Sequence, residues 1–257
     1  MSDKLYIEQL DSTNNRLKEM AATTRLPDGF TLYTFYQTAG RGQQGNTWDS
    51  EPGKNLLFST LFIPNGLLVS QQFRLSMAVS VSIVETLRKY ITKVCIKWPN
   101  DIYYGDRKLG GILIENLLAG NQIGRSVVGI GINVNQTEFR EDIPNPISLK
   151  RIAGEDFDKE ILLDEILQTW ENLPKLLSEP LLLKEQYMSF LYRGQGLHLY
   201  RELKPSINPV SIGRKEESDS FRAAIRDVLD DGRILLEKEN GERQYYHFKQ
   251  IQYIITP

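Results

Sequence analysis

Three short apolar runs set between turn residues constrain this chain more than any other feature. Val94 to Trp98 is broken by Pro99-Asn100-Asp101, Ile102 to Tyr104 resumes extended structure, and Lys108 to Asn116 returns after Gly105-Asp106-Arg107. Connections this short have no room for a crossover, so the runs must pair antiparallel as a hairpin. A further strand, Gly124 to Val134, follows the turn Ala119-Gly120-Asn121. Upstream, Leu5 to Leu10, Phe30 to Gln37 and Asn55 to Ile63 also read as strands, being apolar, aromatic or β-branched. The first leads into Asp11-Ser12-Thr13-Asn14, a helix N-cap ahead of Leu17 and Met20.

Helical periodicity sits between and after these strands. Phe73, Leu75, Val79, Ile83 and Leu87 predict a long helix over Gln71 to Tyr90 with one buried face. Two more helices are predicted over Lys159 to Leu177 and Leu181 to Tyr192, ended by Arg193-Gly194-Gln195-Gly196. The rest alternates short β-like runs with turns at Asn208-Pro209, Asp231-Gly232 and Asn240-Gly241, a small all-β module. The expectation is an α+β chain in which residues 1–192 form a mixed, mainly antiparallel sheet flanked by helices and residues 193–257 form the second unit.

Composition narrows the chemistry. The 31 Lys and Arg against 33 Asp and Glu leave a net charge of -2, which gives no global attraction to nucleic acid or an anionic membrane. One cysteine, Cys95, cannot form an intrachain disulfide, and His198 and His247 are too few and too far apart for a zinc cluster. The N-terminal segment has no apolar signal core and no run approaches the ~20 residues of a membrane helix. A cytoplasmic protein with no metal cage of its own is expected.

Gly40-Arg41-Gly42-Gln43-Gln44-Gly45 satisfies the dinucleotide-binding pattern, but Asn46-Thr47-Trp48-Asp49-Ser50 follows where a helix must open, so that reading fails. What survives is a glycine loop whose backbone N–H groups can converge on an anion, with Arg41 adding forked donors. Lys97-Trp98-Pro99-Asn100-Asp101 places a cation, an amide and a carboxylate at a strand end. Lys108 starts the return strand beside Gly110-Gly111, where small residues let a ligand approach the backbone. In Gly129 to Asn135 the glycines fit a crowded core equally well, while Asn133 offers a donor and an acceptor to a base edge. Taken singly, each motif has an ordinary structural explanation.

Together, Asp11-Ser12-Thr13-Asn14, Gln37, Gly40 to Trp48, Lys97 to Asp101, Lys108 to Gly111 and Gly129 to Asn135 closely resemble the biotin protein ligase family in order and spacing. The motif resemblance spans residues 4 to 140. It implies the class II synthetase-like biotin ligase catalytic fold with a small C-terminal SH3-like β-barrel. It also implies ATP-dependent formation of biotinyl-5′-adenylate, then transfer of biotin to one lysine of a biotin carboxyl carrier domain. Magnesium would arrive on the phosphates, and the protein would be a monomer or homodimer.

By this resemblance Ser12, Thr13, Asn14 and Gln37 bind the ureido ring, and Arg41, Gly42 and Gln43 cover the carboxylate and adenylate. Lys108, beside Gly111, holds the reacting carboxyl and phosphoryl oxygens, with Lys97 and Arg41 as further cations. Asp101 orients the incoming lysine or accepts its proton. Gly40, Arg41, Gly45 and Trp48 belong to the ATP loop, Trp48 chiefly as packing, and Asn133 is the adenine candidate. Two departures stand out. Gln43, Gln44 and Asn46 occupy positions where many relatives carry arginine, which throws the phosphate grip onto Arg41 and the lysines. Only ten residues precede Asp11, so the ligase-only form without a DNA-binding domain is expected. A lipoate or octanoyl ligase is disfavoured because no histidine occurs before His198. A non-enzymatic biotin- or nucleotide-sensing module would not need so many phosphate-directed cations.

Overall fold

The structure, a computed structural model, describes residues 3–203 and 220–255. Seven strands form the main sheet, and it is antiparallel except at one edge, where β1 (Lys4–Tyr6) pairs parallel with β2 (Thr31–Thr34). The order continues through β5 (Leu56–Phe62), β9 (Gln122–Ile132), β8 (Arg107–Ala119) and β7 (Asp101–Tyr104) to β6 (Val94–Lys97). The two remaining short strands, β3 (Gly40–Arg41) and β4 (Thr47–Trp48), pair with each other as a flap. β5 is central and buried at all seven positions, as its run of apolar and small hydroxyl residues requires.

Alternation along β5, β8 and β9 separates two faces. One carries Leu56, Phe58, Ile112, Val128, Ile130 and Ile132, and these join the major core beneath α2 (Phe73–Leu87) and α4 (Lys159–Trp170). The other carries Leu57, Ser59, Leu61, Gly111, Leu113, Val127, Gly129 and Gly131. Its outer part is covered by α1 (Thr13–Thr23), whose Leu17 packs on Leu32, Leu61 and Val127. The rest of this face stays open, and the small residues along it make a hollow.

Four helices follow the main sheet's last strand in ways the periodicity only partly foretold. The helix expected over Lys159 to Leu177 is two, because α4 stops at Trp170 and α5 (Leu173–Ser178) restarts with proline in its first turn, which has no N–H to continue the ladder. A short helix, α3 (Leu149–Ala153), was not expected; Ser148 accepts from the Arg151 N–H at its start and Gly154 closes it at φ 84°. α6 (Pro180–Ser189) matches the second predicted helix. The first strand ends at Tyr6, and beyond it Leu10 makes a single bridge to Gln37.

Among the described residues the second sheet is five-stranded and antiparallel, consistent with an SH3-like barrel. It comprises β10 (His198–Glu202), β11 (Ser220–Val228), β12 (Ile234–Lys238), β13 (Arg243–Tyr246) and β14 (Ile251–Tyr253) in the order β13-β12-β11-β10-β14. The expected Asn208-Pro209 turn lies outside the described residues. Tyr200, Ala223, Ile225 and Tyr246 of this sheet belong to the same hydrophobic cluster as α2 and the main sheet. Polar contacts fix the junction: the Trp98 Nε1–H donates to Gly232 O at 3.0 Å, the Phe73 N–H donates to Asp230 O at 3.0 Å, and Arg74 pairs with Asp230. Among the described residues no helix is long and apolar enough to cross a membrane.

Candidate active site

The open face of the main sheet and the edge of the second sheet enclose a cavity of about 900 Å³. Its floor is a single row of residues paired across five strands: Leu57, Gly131, Gly111, Asp101 and Lys97. Directly paired residues in antiparallel strands project to the same side, so this register puts Asp101 and Lys97 beside a floor without side chains. Lys108 is three residues before Gly111 and would point to the opposite face in a regular strand. A bulge between β7 and β8 pairs Gly110 with Ile102 and Lys108 with Tyr103, skipping Leu109, and so brings Lys108 to the cavity side.

The glycines have a packing purpose. A Cβ on Gly131 would stand 2.6 Å from Trp48 Cε2, and one on Gly111 would stand 3.2 Å from Trp48 Cζ3. The flap therefore lays the Trp48 indole flat on the glycine floor, and Lys108 Nζ lies 5.8 Å from that ring's centroid. A Cβ on Gly129 would overlap Asn14 Oδ1, at 2.0 Å.

At one end of the cavity the polar groups are buried and mutually bonded. Ser12, Thr13 and Asn14 are each less than 5% exposed. The Thr13 N–H donates to Gln37 Oε1 at 2.7 Å, and the Ser59 hydroxyl lies 2.7 Å from Thr13 Oγ1 and 2.6 Å from Asn14 Oδ1. Asn14 Nδ2 donates to Leu113 O at 3.3 Å and to Glu115 Oε2 at 2.9 Å. A buried network of this kind is stable only when nearly every donor and acceptor is used.

The other end is cationic. Lys108 Nζ is 2.7 Å from Asp101 Oδ1, and Lys97 Nζ is 3.9 Å from Asp101 Oδ2. Burial pushes the Lys97 ammonium below the ordinary lysine range; Asp101 pulls the other way, and Lys108 and Arg193 add to the lowering. Lys97 lies 5.0 Å from the Tyr103 ring centroid and 5.1 Å from that of Tyr253, which comes from the second sheet. Burial raises both phenols, so they remain neutral walls. Asn100 anchors the turn by donating to Ile112 O at 2.6 Å.

Of the residues expected at the site, Ser12, Thr13, Asn14, Gln37, Arg41, Gly42, Gln43, Trp48, Lys97, Asp101, Lys108 and Gly111 all line this one cavity. Three do not. Asn133 lies outside this lining; its amide donates to Ile147 O at 3.1 Å and its backbone bonds to Leu109 and Leu149, so it clamps the strand end. Gly40 and Gly45 face a smaller adjoining hollow, shared with Glu115. Arg41 also donates to Asn15 Oδ1 at 2.6 Å and stands 3.3 Å from Glu115 Oε1.

Several wall residues had no signal in the local sequence. Arg201 and Lys249 come from the second sheet and its last turn, and with Arg41, Lys97 and Lys108 they give the wall, among the described residues, five cations against one carboxylate, Asp101. Asn145 and Lys249, both on the wall, hold left-handed backbones at φ 42° and 67°. Conformations of that kind are concentrated at functional sites. The arrangement suits a ligand with a polar head, an apolar middle and a strongly anionic tail.

Residues 6–133, about half of the chain, match the biotin/lipoate A/B protein ligase family. The chain is 26% identical over 252 residues to the bifunctional ligase/repressor BirA of Bacillus subtilis, covering 94% of this chain and 71% of that protein. It is 27% identical over 170 residues to the biotin–[acetyl-CoA-carboxylase] ligase of Mycobacterium tuberculosis, covering 64% of this chain and 61% of that one. The fold is similar to that of the biotin protein ligase from Aquifex aeolicus in complex with biotin and ATP, with a TM-score of 0.74 and 26% identity over 99% of this chain and 100% of that one.

Proposed function

The chain belongs to the biotin/lipoate A/B protein ligase family, and from that premise we propose that it joins biotin to ATP as biotinyl-5′-adenylate and then transfers biotin to a lysine of a carboxyl carrier domain. One observation carries the reading: the cavity has a buried polar network at one end, Lys97 and Lys108 paired with Asp101 at the other, and the further cations Arg41, Arg201 and Lys249 along its wall. A biotin-only pocket has no use for that second end. A bare nucleotide pocket has no use for the first.

In the first step a carboxylate oxygen of biotin attacks the α-phosphorus of ATP, the bond to the bridging oxygen breaks, and pyrophosphate leaves with the electron pair. Two anions must meet, so catalysis is chiefly alignment and charge stabilisation. Lys108 and Lys97 are held on the floor by Asp101, 2.7 and 3.9 Å away, and face the place where the carboxylate and α-phosphate come together. Arg41, Arg201 and Lys249 lie around the rim and suit the remaining phosphates. Trp48 and Leu57 give the apolar middle. In the second step a neutral lysine amine of the carrier attacks the acyl carbon, the C–O bond to AMP breaks, and the amine loses a proton. In this reading Asp101, the carboxylate of the described wall, orients that amine and takes the proton.

Among the described residues no group of three or more His, Cys, Asp or Glu could hold a metal ion. Asp101 is already engaged by two lysines. Magnesium is therefore assigned to the triphosphate, where it neutralises charge with substrate oxygens and water as ligands. No nucleic-acid partner is included, since a net charge of -2 supplies no general attraction to phosphate backbones. The test is pyrophosphate release that needs both ATP and biotin, followed by a gain of one biotinyl group on a single carrier lysine. Release without biotin, or no modification of the carrier, would overturn the reading.

A further inference from the structure

Resting on that reading, we propose that Glu115 is a specificity-determining positioning residue that makes the cavity's inner end select a cyclic urea over an apolar acyl chain. Glu115 lies on β8 four residues beyond Gly111, on the same face, but just past the cavity end, so it can act only through another group. That group is Asn14. Its amide N–H groups are given to Glu115 Oε2 at 2.9 Å and Leu113 O at 3.3 Å, both of which only accept. A flipped amide would set its oxygen against a carboxylate and a carbonyl. The orientation is thereby set, with Asn14 Oδ1 standing over Gly129, whose missing Cβ makes the space, and accepting from Ser59 at 2.6 Å.

A similar constraint fixes Gln37. The Thr13 N–H donates to Gln37 Oε1 at 2.7 Å, which leaves the Nε2 protons of Gln37 to be donated elsewhere. The inner end then offers acceptor oxygens from Asn14 and Thr13 beside donors from Gln37 and Ser12. A cyclic urea, with two N–H donors flanking one carbonyl, satisfies such a set. An alkyl or dithiolane end strands it, and buried polar groups left without partners are costly.

Glu115 stays ionised for this task. Burial by itself would raise its carboxyl, but hydrogen bonds from Lys18 and Asn14 and the charges of Lys18 and Arg41 outweigh it and hold it below the usual range. Lys18 Nζ is 2.8 Å from Oε1, so the carboxylate keeps a counter-charge even when Arg41 turns toward substrate phosphate.

The experiment is steady-state pyrophosphate release by Glu115→Ala and the isosteric Glu115→Gln, with biotin or octanoic acid as the acid and ATP varied separately. Glu115→Ala is expected to raise the KM for biotin on the order of 10-fold or more, leave the KM for ATP within about twofold, and narrow the biotin-over-octanoate ratio of kcat/KM. Glu115→Gln, which still accepts from Asn14, should fall between Ala and wild type. An unchanged biotin KM in both variants, or parallel losses in both KM values together with a lowered Tm, would overturn the inference. Failure of the wild type to release pyrophosphate with biotin would instead overturn the proposed function.

Discussion

Lys108→Ala is the perturbation that most directly tests the cationic end of the cavity. The ammonium sits 2.7 Å from Asp101 and 5.8 Å from the Trp48 ring centroid, beside the bare floor at Gly111. At about 3 Å from a phosphoryl oxygen and an effective dielectric of about 20, one unit charge contributes about 5 kcal/mol. Part of that is already present with bound ATP, and only the share that grows as the carboxylate closes on phosphorus lowers the barrier. Loss of one preorganised donor of this kind typically costs about 10² to 10³ in rate. The variant should therefore release pyrophosphate about 10² to 10³ times more slowly, with a smaller change in the KM for biotin, whose ring binds at the other end. Stability should hardly change, because the side chain is one-third exposed and packs only at the cavity wall. The assay is single-turnover formation of adenylate from labelled ATP, with a urea melt to confirm the fold. A folded Lys108→Ala protein that forms adenylate at a rate within threefold of wild type would refute the placement of this lysine at the reacting centre.

Three further outcomes are expected. Gly131→Ala pushes a methyl into the Trp48 ring, and overpacking at such a site costs about 1 to 3 kcal/mol; urea denaturation and the tryptophan emission of the folded state would both report it, and no change in either would show that the flap rests elsewhere. Lys97→Met should lower activity on the order of 10²-fold yet raise stability at neutral pH, because the buried ammonium binds its proton less tightly folded than unfolded. Since the unfolded chain then holds more protons, wild-type stability rises as pH climbs through the folded pKa toward the ordinary lysine value, and the gap to Lys97→Met should close; melts at pH 7 and pH 10 showing a constant gap would contradict this. The double change Arg201→Met with Lys249→Met should raise the KM for ATP about 10-fold and leave that for biotin alone, measured by pyrophosphate release, whereas equal changes in both would place these cations elsewhere.

Much of the catalytic unit is legible along the chain because its signals are local. A proline turn after Lys97 and short turns between apolar runs each depend on a few neighbouring residues, and the corresponding elements formed; α1 also starts after Ser12, but without a side-chain cap, its first N–H going instead to Gln37. Gly154 and Ser148 were local signals too, and the brief α3 they bracket was missed only for its length. Pro174 carried the break between α4 and α5 in plain view, outweighing the leucine periodicity around it.

What the chain could not reveal by itself depends on register and on distance. Asn133 looked like a ligand group because its amide is versatile, but the packing of residues 145–149 against the strand end gives that amide its partner. Gly129 and Gly131 could be read as crowding or as ligand space until pairing showed Asn14 above one and Trp48 above the other. Lys108 and Gly111, three residues apart, belong on opposite faces of an ideal strand, and only the bulge at Leu109 unites them. Arg201 and Lys249 reach the same cavity as Lys97 from more than a hundred residues away. Turn and helix signals act over one to four residues, whereas a side chain's face in a sheet is set by its partner strand, and that partner is chosen by the burial of the whole core.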